Sequence, residues 1–255
     1  GQWNQKINFR SDIESGAFFL EKNGFTVVLN HPGDLQKFSE QIHGHSHDKG
    51  KINNRDKEED TVKANAGISI RSHAYKVNFV GASANVQIQP EKTLPTYNNY
   101  FIGNDKSKWQ GGCKIYQAVL YKNIYPNIDV RYYTDGSTLK YDIIVNPGGK
   151  VRDIVMQYEG VDKLSVKNEE LLIQTSVGEL KELYPYTYQL HKNERQVLNC
   201  KYQLSNKQVR FKVSNYSPDA TIVIDPTLIF STFTGSAADN WGYTATPGPD
   251  GTMFA

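Results

Sequence analysis

No stretch of the 255-residue chain approaches the run of roughly 20 apolar residues that a membrane-spanning helix needs. There is no G-x-S-x-G, no H-E-x-x-H, no P-loop and no G-x-G-x-x-G, so the common sequence signatures of hydrolases, zinc proteases and nucleotide-binding enzymes are missing. No segment alternates strand and helix patterns as a parallel α/β enzyme would. The net charge is only +2, which calls for neither a nucleic acid nor an anionic membrane as partner. Cysteine occurs twice, at Cys113 and Cys200. A bridge between them would close a long loop, worth on the order of 4–5 kcal/mol in the chain-entropy model. Cys200, however, shares an apolar face with Leu198, Tyr202 and Leu204, where a free thiol packs as a small hydrophobe. Two cysteines do not settle the redox compartment.

What is present is aromatic and strand-like. The chain has 16 Tyr, 11 Phe and 3 Trp against 2 Met, a balance suited to pleated, half-buried surfaces. Period-2 patterns recur from residue 17 onward, separated by turn signals. Asn23-Gly24 reads as a hairpin turn, as does Asp135-Gly136, and Asn146-Pro147-Gly148-Gly149 closes the strand of residues 138–145. Strands are also expected at 67–71, 74–80, 86–89, 114–121 and 128–133, and then at shorter spacing from 154 to 224. One helix is expected over 34–42, where Leu35, Phe38 and Ile42 share a face and Asp34 can cap. From His43 to Ala66 the chain is polar and charged, HGHSHDKGKINNRDKEEDTVKANA, and is expected to be a flexible insertion.

Few residue groups suggest chemistry. His43, His45 and His47 alternate, so in an extended chain their imidazoles point one way and could take Zn²⁺, Cu²⁺ or Ni²⁺. A physiological site also needs fixed geometry and supporting partners, and the expectation is adventitious metal binding. Asn104, Asp105 and Trp109 offer an amide, a carboxylate and an aromatic platform of the kind seen in sugar sites; an Asx-type turn beside a buried Trp explains the same residues. Asp129, Asp135 and Asp142 lie along one hairpin, and paired carboxylates can do glycosidase chemistry. Asp135 is better explained by its turn. The loops of Asp239 and Asp250 could hold Ca²⁺ through backbone carbonyls, although no EF-hand string is present. No other cofactor, no nucleic acid and no catalytic residue is expected, and sheet packing explains the tyrosines best.

Residues 224–235, IDPTLIFSTFTG, resemble the opening of an SBBP-type β-propeller repeat, and residues 239–243 and 249–255 look like the rest of it. Upstream, GQW at 1–3, FFLEKNGF at 18–25, YNNYFIGN at 97–104, YKNIYPNID at 121–129, LKYDIIVNPG at 139–148 and VIDP at 223–226 are similar to an uncharacterised domain that precedes such propellers. This sequence departs from that family mainly at 43–66, which looks like an insertion. The family consists of large exported proteins, often from Bacteroidota, many ending in a type IX secretion sorting domain or a gliding-motility-associated domain.

The resemblance therefore implies export through a removed signal peptide, a bacterial cell-surface location, partners among other cell-surface or outer-membrane proteins, and a role in adhesion or gliding. It carries no catalytic residues. A chain that starts at Gly1 and stops within the apolar run ending at Ala255 is expected to be trimmed at both ends. The expected architecture is all-β: a first sandwich-like or meandering sub-domain over 1–148 with its insertion at 43–66, a second over 149–226, and the first strands of a truncated propeller over 227–255. The expected function is a non-catalytic interaction or scaffold module, with a carbohydrate-binding or carbohydrate-active module as the alternative.

Overall fold

The computed structural model describes residues 4–13, 15–43, 69–135, 138–191 and 194–231. Within them the chain forms, in order, β1 (Ile7–Ile13), β2 (Gly16–Glu21), β3 (Gly24–Asn30), the helix α1 (Pro32–His43), β4 (Ser72–Phe79), β5 (Gln87–Tyr100), β6 (Gln110–Tyr125), β7 (Ile128–Asp135), β8 (Thr138–Val145), β9 (Met156–Glu159), β10 (Lys163–Lys167), β11 (Glu170–Thr175), β12 (Gly178–Glu182), β13 (Tyr186–His191), β14 (Glu194–Leu198), β15 (Cys200–Ser205), β16 (Gln208–Val213), β17 (Thr221–Asp225) and β18 (Leu228–Ser231). The all-β expectation holds, with α1 the only α-helix among the described residues. Three antiparallel sheets form, none closed: a seven-stranded sheet β1-β2-β3-β4-β9-β16-β15, a second seven-stranded sheet β14-β13-β17-β8-β7-β6-β5, and a four-stranded sheet β10-β11-β12-β18. Strands before and after Gly148 take part in both large sheets.

Alternation along each strand selects the inner faces. In the first sheet Phe18, Leu20, Phe25, Val27, Tyr75 and Val77 are buried; in the second, Tyr121, Val130, Tyr132, Tyr141, Ile143 and Ile224 are. These faces meet, with Phe25 lying 6.2 Å edge-on to Tyr132 and 6.0 Å from Tyr141 between ring centroids. Leu171, Ile173 and Leu180 of the four-stranded sheet join the same core. Among the described residues seven tyrosines are buried, so packing absorbs much of the aromatic surplus.

Several local expectations need correction. The strand over 67–71 does not form in its described part, residues 69–71. There Arg71 donates to Asp34 through its backbone N (3.1 Å), Nε (2.8 Å) and Nη2 (2.9 Å). Asp34 is thus not the cap of α1. The His31 carbonyl accepts from the N–H groups of Asp34 and Leu35, Pro32 fills the first helical turn, and the Arg71 bonds hold the Asp34 carboxyl well below the usual range. β5 runs to Tyr100 through Pro90 and Pro95, tolerable because it is an edge strand needing few ladder donors. The apolar face of Leu198, Cys200, Tyr202 and Leu204 is not one strand but spans two strands in different sheets, broken at Asn199. Gly24 is not the turn glycine of its hairpin but the first residue of β3, where a Cβ would lie 2.0 Å from the Val77 carbonyl oxygen.

The propeller segment expected over 227–255 is described only to Ser231. There β18 pairs with β12, Leu228 opposite Glu182, and the Leu228 side chain is buried. Leu228→Ala is expected to cost about 2–4 kcal/mol in urea unfolding, as for a core leucine. A change within a few tenths would detach this strand from the core.

Glu182, 2% exposed, occupies a core position at the end of β12. The Tyr158 hydroxyl of the first sheet donates to its Oε1 at 2.7 Å, and Tyr141 of the second donates to Oε2 at 3.1 Å. Tyr202 lies 3.5 Å from Oε2 while donating at 2.9 Å to the Leu183 carbonyl. Tyr75 stacks on Tyr158 at 6.3 Å. Burial pushes the carboxyl up to about 7 from an ordinary 4.5, against the pull of the tyrosine hydroxyls that donate to it. The folded state therefore holds this proton more tightly than the unfolded chain. Its stabilising contribution is complete below pH 4.5 and is lost as pH rises through about 7. Urea unfolding should show a loss on the order of 3 kcal/mol across that window in the parent relative to Glu182→Gln, which cannot titrate. Parallel pH profiles for the two proteins would contradict this.

Candidate functional site

The inner faces of the two large sheets are filled by packed side chains, and the exposed aromatic and charged groups among the described residues lie on the outer faces and edges. On the outer face of the second large sheet, β7 and β8 place Arg131 opposite Asp142, and β13 places Tyr186 opposite Asp225 of β17. Tyr133 donates to Asp142 Oδ1 at 3.1 Å. Burial first, and then the Asp225 charge, push the Asp142 carboxyl up to about 6, while Tyr133 and Arg131 oppose the rise. Arg131 donates to Glu91 at 2.8 Å and lies 5.1 Å from the Tyr133 ring centroid; Arg195 lies 4.6 Å from that of Tyr188. Towards the β13–β14 edge, Tyr186, Leu190 and Val197 are exposed, Val197 at 61%. The face thus combines aromatic rings, apolar side chains and both signs of charge.

A second exposed feature is the far end of the β5–β6 hairpin. Asp105 caps a short 3-10 helix, Lys106–Lys108, accepting from Ser107 N (3.1 Å) and Ser107 Oγ (2.6 Å). These bonds lower the Asp105 carboxyl. The Asx-type turn is therefore present, but Trp109 is not buried: it is 36% exposed, its Nε1 donating to the Gly103 carbonyl at 3.0 Å. Asn104 is exposed nearby.

The other expected site residues are scattered. His43 ends α1, whereas His45, His47, Asp239 and Asp250 lie outside the described residues. Asp129 accepts from Asn123 N of β6 at 2.8 Å and from Asn146 Nδ2 after β8 at 2.9 Å, tying the two together. Asp135 sits at the β7–β8 turn opposite Thr138, its side chain outside the described residues, and a carboxylate that acts on Asp142 is that of Asp225. Both cysteines are free, Cys113 half-buried and Cys200 buried with its thiol pushed up to about 11.

Sequence reasoning also missed a contact between His73 and Ser176, 103 positions apart. His73 Nδ1 lies 2.9 Å from Ser176 Oγ and accepts from Ser176 N at 3.2 Å, while Nε2 meets the Gly160 carbonyl at 2.8 Å. Nδ1 thereby docks the β11–β12 turn onto β4, while Nε2 ties β4 to the end of β9. Among the described residues no group of three or more His, Cys, Asp or Glu side chains could hold a metal ion, and no helix is long and apolar enough to cross a membrane.

These features define an all-β protein of three antiparallel sheets with exposed aromatic groups on its outer surfaces. The chain belongs to the family described as Domain of unknown function (DUF7948), whose model matches residues 1–227. No curated protein and no solved structure matches it.

Removing the Asp225 charge should lower the Asp142 carboxyl. Asp225→Asn is expected to move its titration from about 6 towards the ordinary carboxylate range, read by carboxyl-carbon NMR. An unchanged Asp142 titration would mean that burial alone sets it.

Proposed function

We propose that this chain is a non-catalytic interaction or scaffold module of a large secreted bacterial cell-surface protein, serving adhesion or gliding motility through contacts with other cell-surface or outer-membrane proteins. The observation that carries this reading is the outer face of the second large sheet, where exposed Tyr186, Leu190 and Val197 adjoin Arg195 and the Asp142–Asp225 pair. Aromatic and arginine anchors beside apolar side chains are the composition of protein-recognition surfaces. The resemblance of residues 224–255 to a propeller repeat supports placement in a longer exported chain. A carbohydrate-binding module is the second reading, favoured by the Tyr186 and Tyr188 rings, 5.8 Å apart, close to two carboxylates that could accept from sugar hydroxyls.

The test is the natural full-length protein carrying Leu190→Asp and Val197→Asp, compared with the parent on intact cells. Surface labelling should be equal for the two, while adhesion or gliding speed falls several-fold in the variant. Equal adhesion and gliding, or a parent protein inaccessible to surface labelling, would end this reading. Glycan-array binding that the same substitutions abolish would transfer support to the carbohydrate reading.

A further inference from the structure

The last paired position between β6 and β7 is Ala118 with Tyr133; farther out, among the described residues, β6 pairs only with β5. From Gln110 to Lys114 it is exposed except for half-buried Cys113, five residues that reach about 17 Å at ~3.4 Å per residue. This ribbon ends in a cluster of large apolar side chains: Tyr97 is 62% exposed, Phe101 57%, Ile102 63% and Trp109 36%. Soluble surfaces rarely gather such groups on a projecting tip without a partner.

We propose that the tip of the β5–β6 ribbon is a membrane-interface anchor, placing Phe101, Ile102 and Trp109 at the acyl–headgroup boundary of a bilayer that carries anionic lipid. Three observations favour a lipid surface. The first is charge. From Tyr97 to Lys114 the ionisable side chains other than tyrosine and cysteine are Asp105, Lys106, Lys108 and Lys114, three cations less one anion, or +2 net. The lysines flank the apolar group as cations flank interfacial segments.

The second is the satisfaction of polar groups, because an unbonded N–H is costly in lipid. Within the tip Ser107 N and Oγ donate to the Asp105 carboxylate, and Lys108 N donates to the Asp105 carbonyl at 3.1 Å. Trp109 N reaches the Lys106 carbonyl at 3.2 Å, Trp109 Nε1 the Gly103 carbonyl at 3.0 Å, and Gly112 N the Asn99 side chain at 2.9 Å. The third is preorganisation. Phe101 and Trp109 already contact each other, ring centroids 5.5 Å apart, so little side-chain freedom is lost on insertion. A convex knob needs a matching pocket on a protein, whereas a bilayer closes around it.

The inference uses residues distinct from the sheet face above and stands or falls separately. It is tested by flotation of the 255-residue chain with vesicles of phosphatidylcholine mixed with phosphatidylglycerol, and with vesicles of phosphatidylcholine alone. The parent should float with the mixed vesicles, less so as salt rises. Ile102→Asp should reduce binding by about tenfold or more through loss of apolar burial. The double variant Lys106→Glu and Lys108→Glu should remove the preference for the anionic lipid. Unchanged circular dichroism would show that the exposed substitutions leave the fold intact. Absence of parent binding, or parent-like binding by Ile102→Asp, overturns the proposal. So does a lipid-free self-association of the parent in sedimentation velocity that Ile102→Asp abolishes, which would make the tip a contact between copies.

Discussion

One carboxyl group holds a position on which all three sheets converge. Glu182 belongs to the four-stranded sheet, Tyr158 and Tyr202 to the first large sheet, and Tyr141 to the second. Phenolic hydroxyls are suited to this place because each brings a large apolar ring into the core along with a single donor at its end. Tyr202 has its proton committed to the Leu183 carbonyl, so its oxygen remains able to accept from a protonated Glu182. Both protonation states can therefore be hydrogen-bonded, while burial favours the neutral one. Such a network is specific about alignment, since a shift of one sheet would strand a buried polar group.

That shared core leaves the outer faces and edges to carry the exposed side chains. The Asp34–Arg71 contact joins the start of α1 to the chain just before β4, and His73 pins the β11–β12 turn, so the body is braced at its periphery as well as in its centre. Against this body the β5–β6 ribbon is the outlying element. Its edge position accommodates Pro90 and Pro95, which would break the ladder of a central strand and which also blunt an otherwise exposed edge. The same chain thus presents a broad polar and aromatic sheet face on its body and a compact apolar tip at the end of a projection.

Legibility in the sequence followed the range of the interaction. The hairpins β2–β3 and β7–β8 were readable because alternation and turn residues act over a few positions. Asp105 as an Asx-type cap was readable for the same reason. The break at Asn199 was not, because Leu198, Cys200 and Tyr202 keep one apolar rhythm while the chain passes from one sheet to another. Glu182 was hidden as an ordinary charged residue, although it occupies the position after Leu180 on the buried side of the strand. Asp225 was read only as part of a motif and not as the neighbour of Asp142, since the two residues stand far apart in the sequence and only β-pairing brings them together.

By itself the sequence determined that this is an antiparallel, turn-punctuated β protein with one short helix, because side-chain period and turn chemistry are local properties of the chain. Tertiary structure alone decided which strands share a sheet and which aromatic rings are buried: Tyr132 and Tyr141 lie in the core, whereas Trp109 and Tyr97 stand exposed on the ribbon. It also decided that a lone glutamate would be enclosed by tyrosines. The physical reason is that burial depends on what covers a residue from distant parts of the chain, and local alternation does not specify the covering partner.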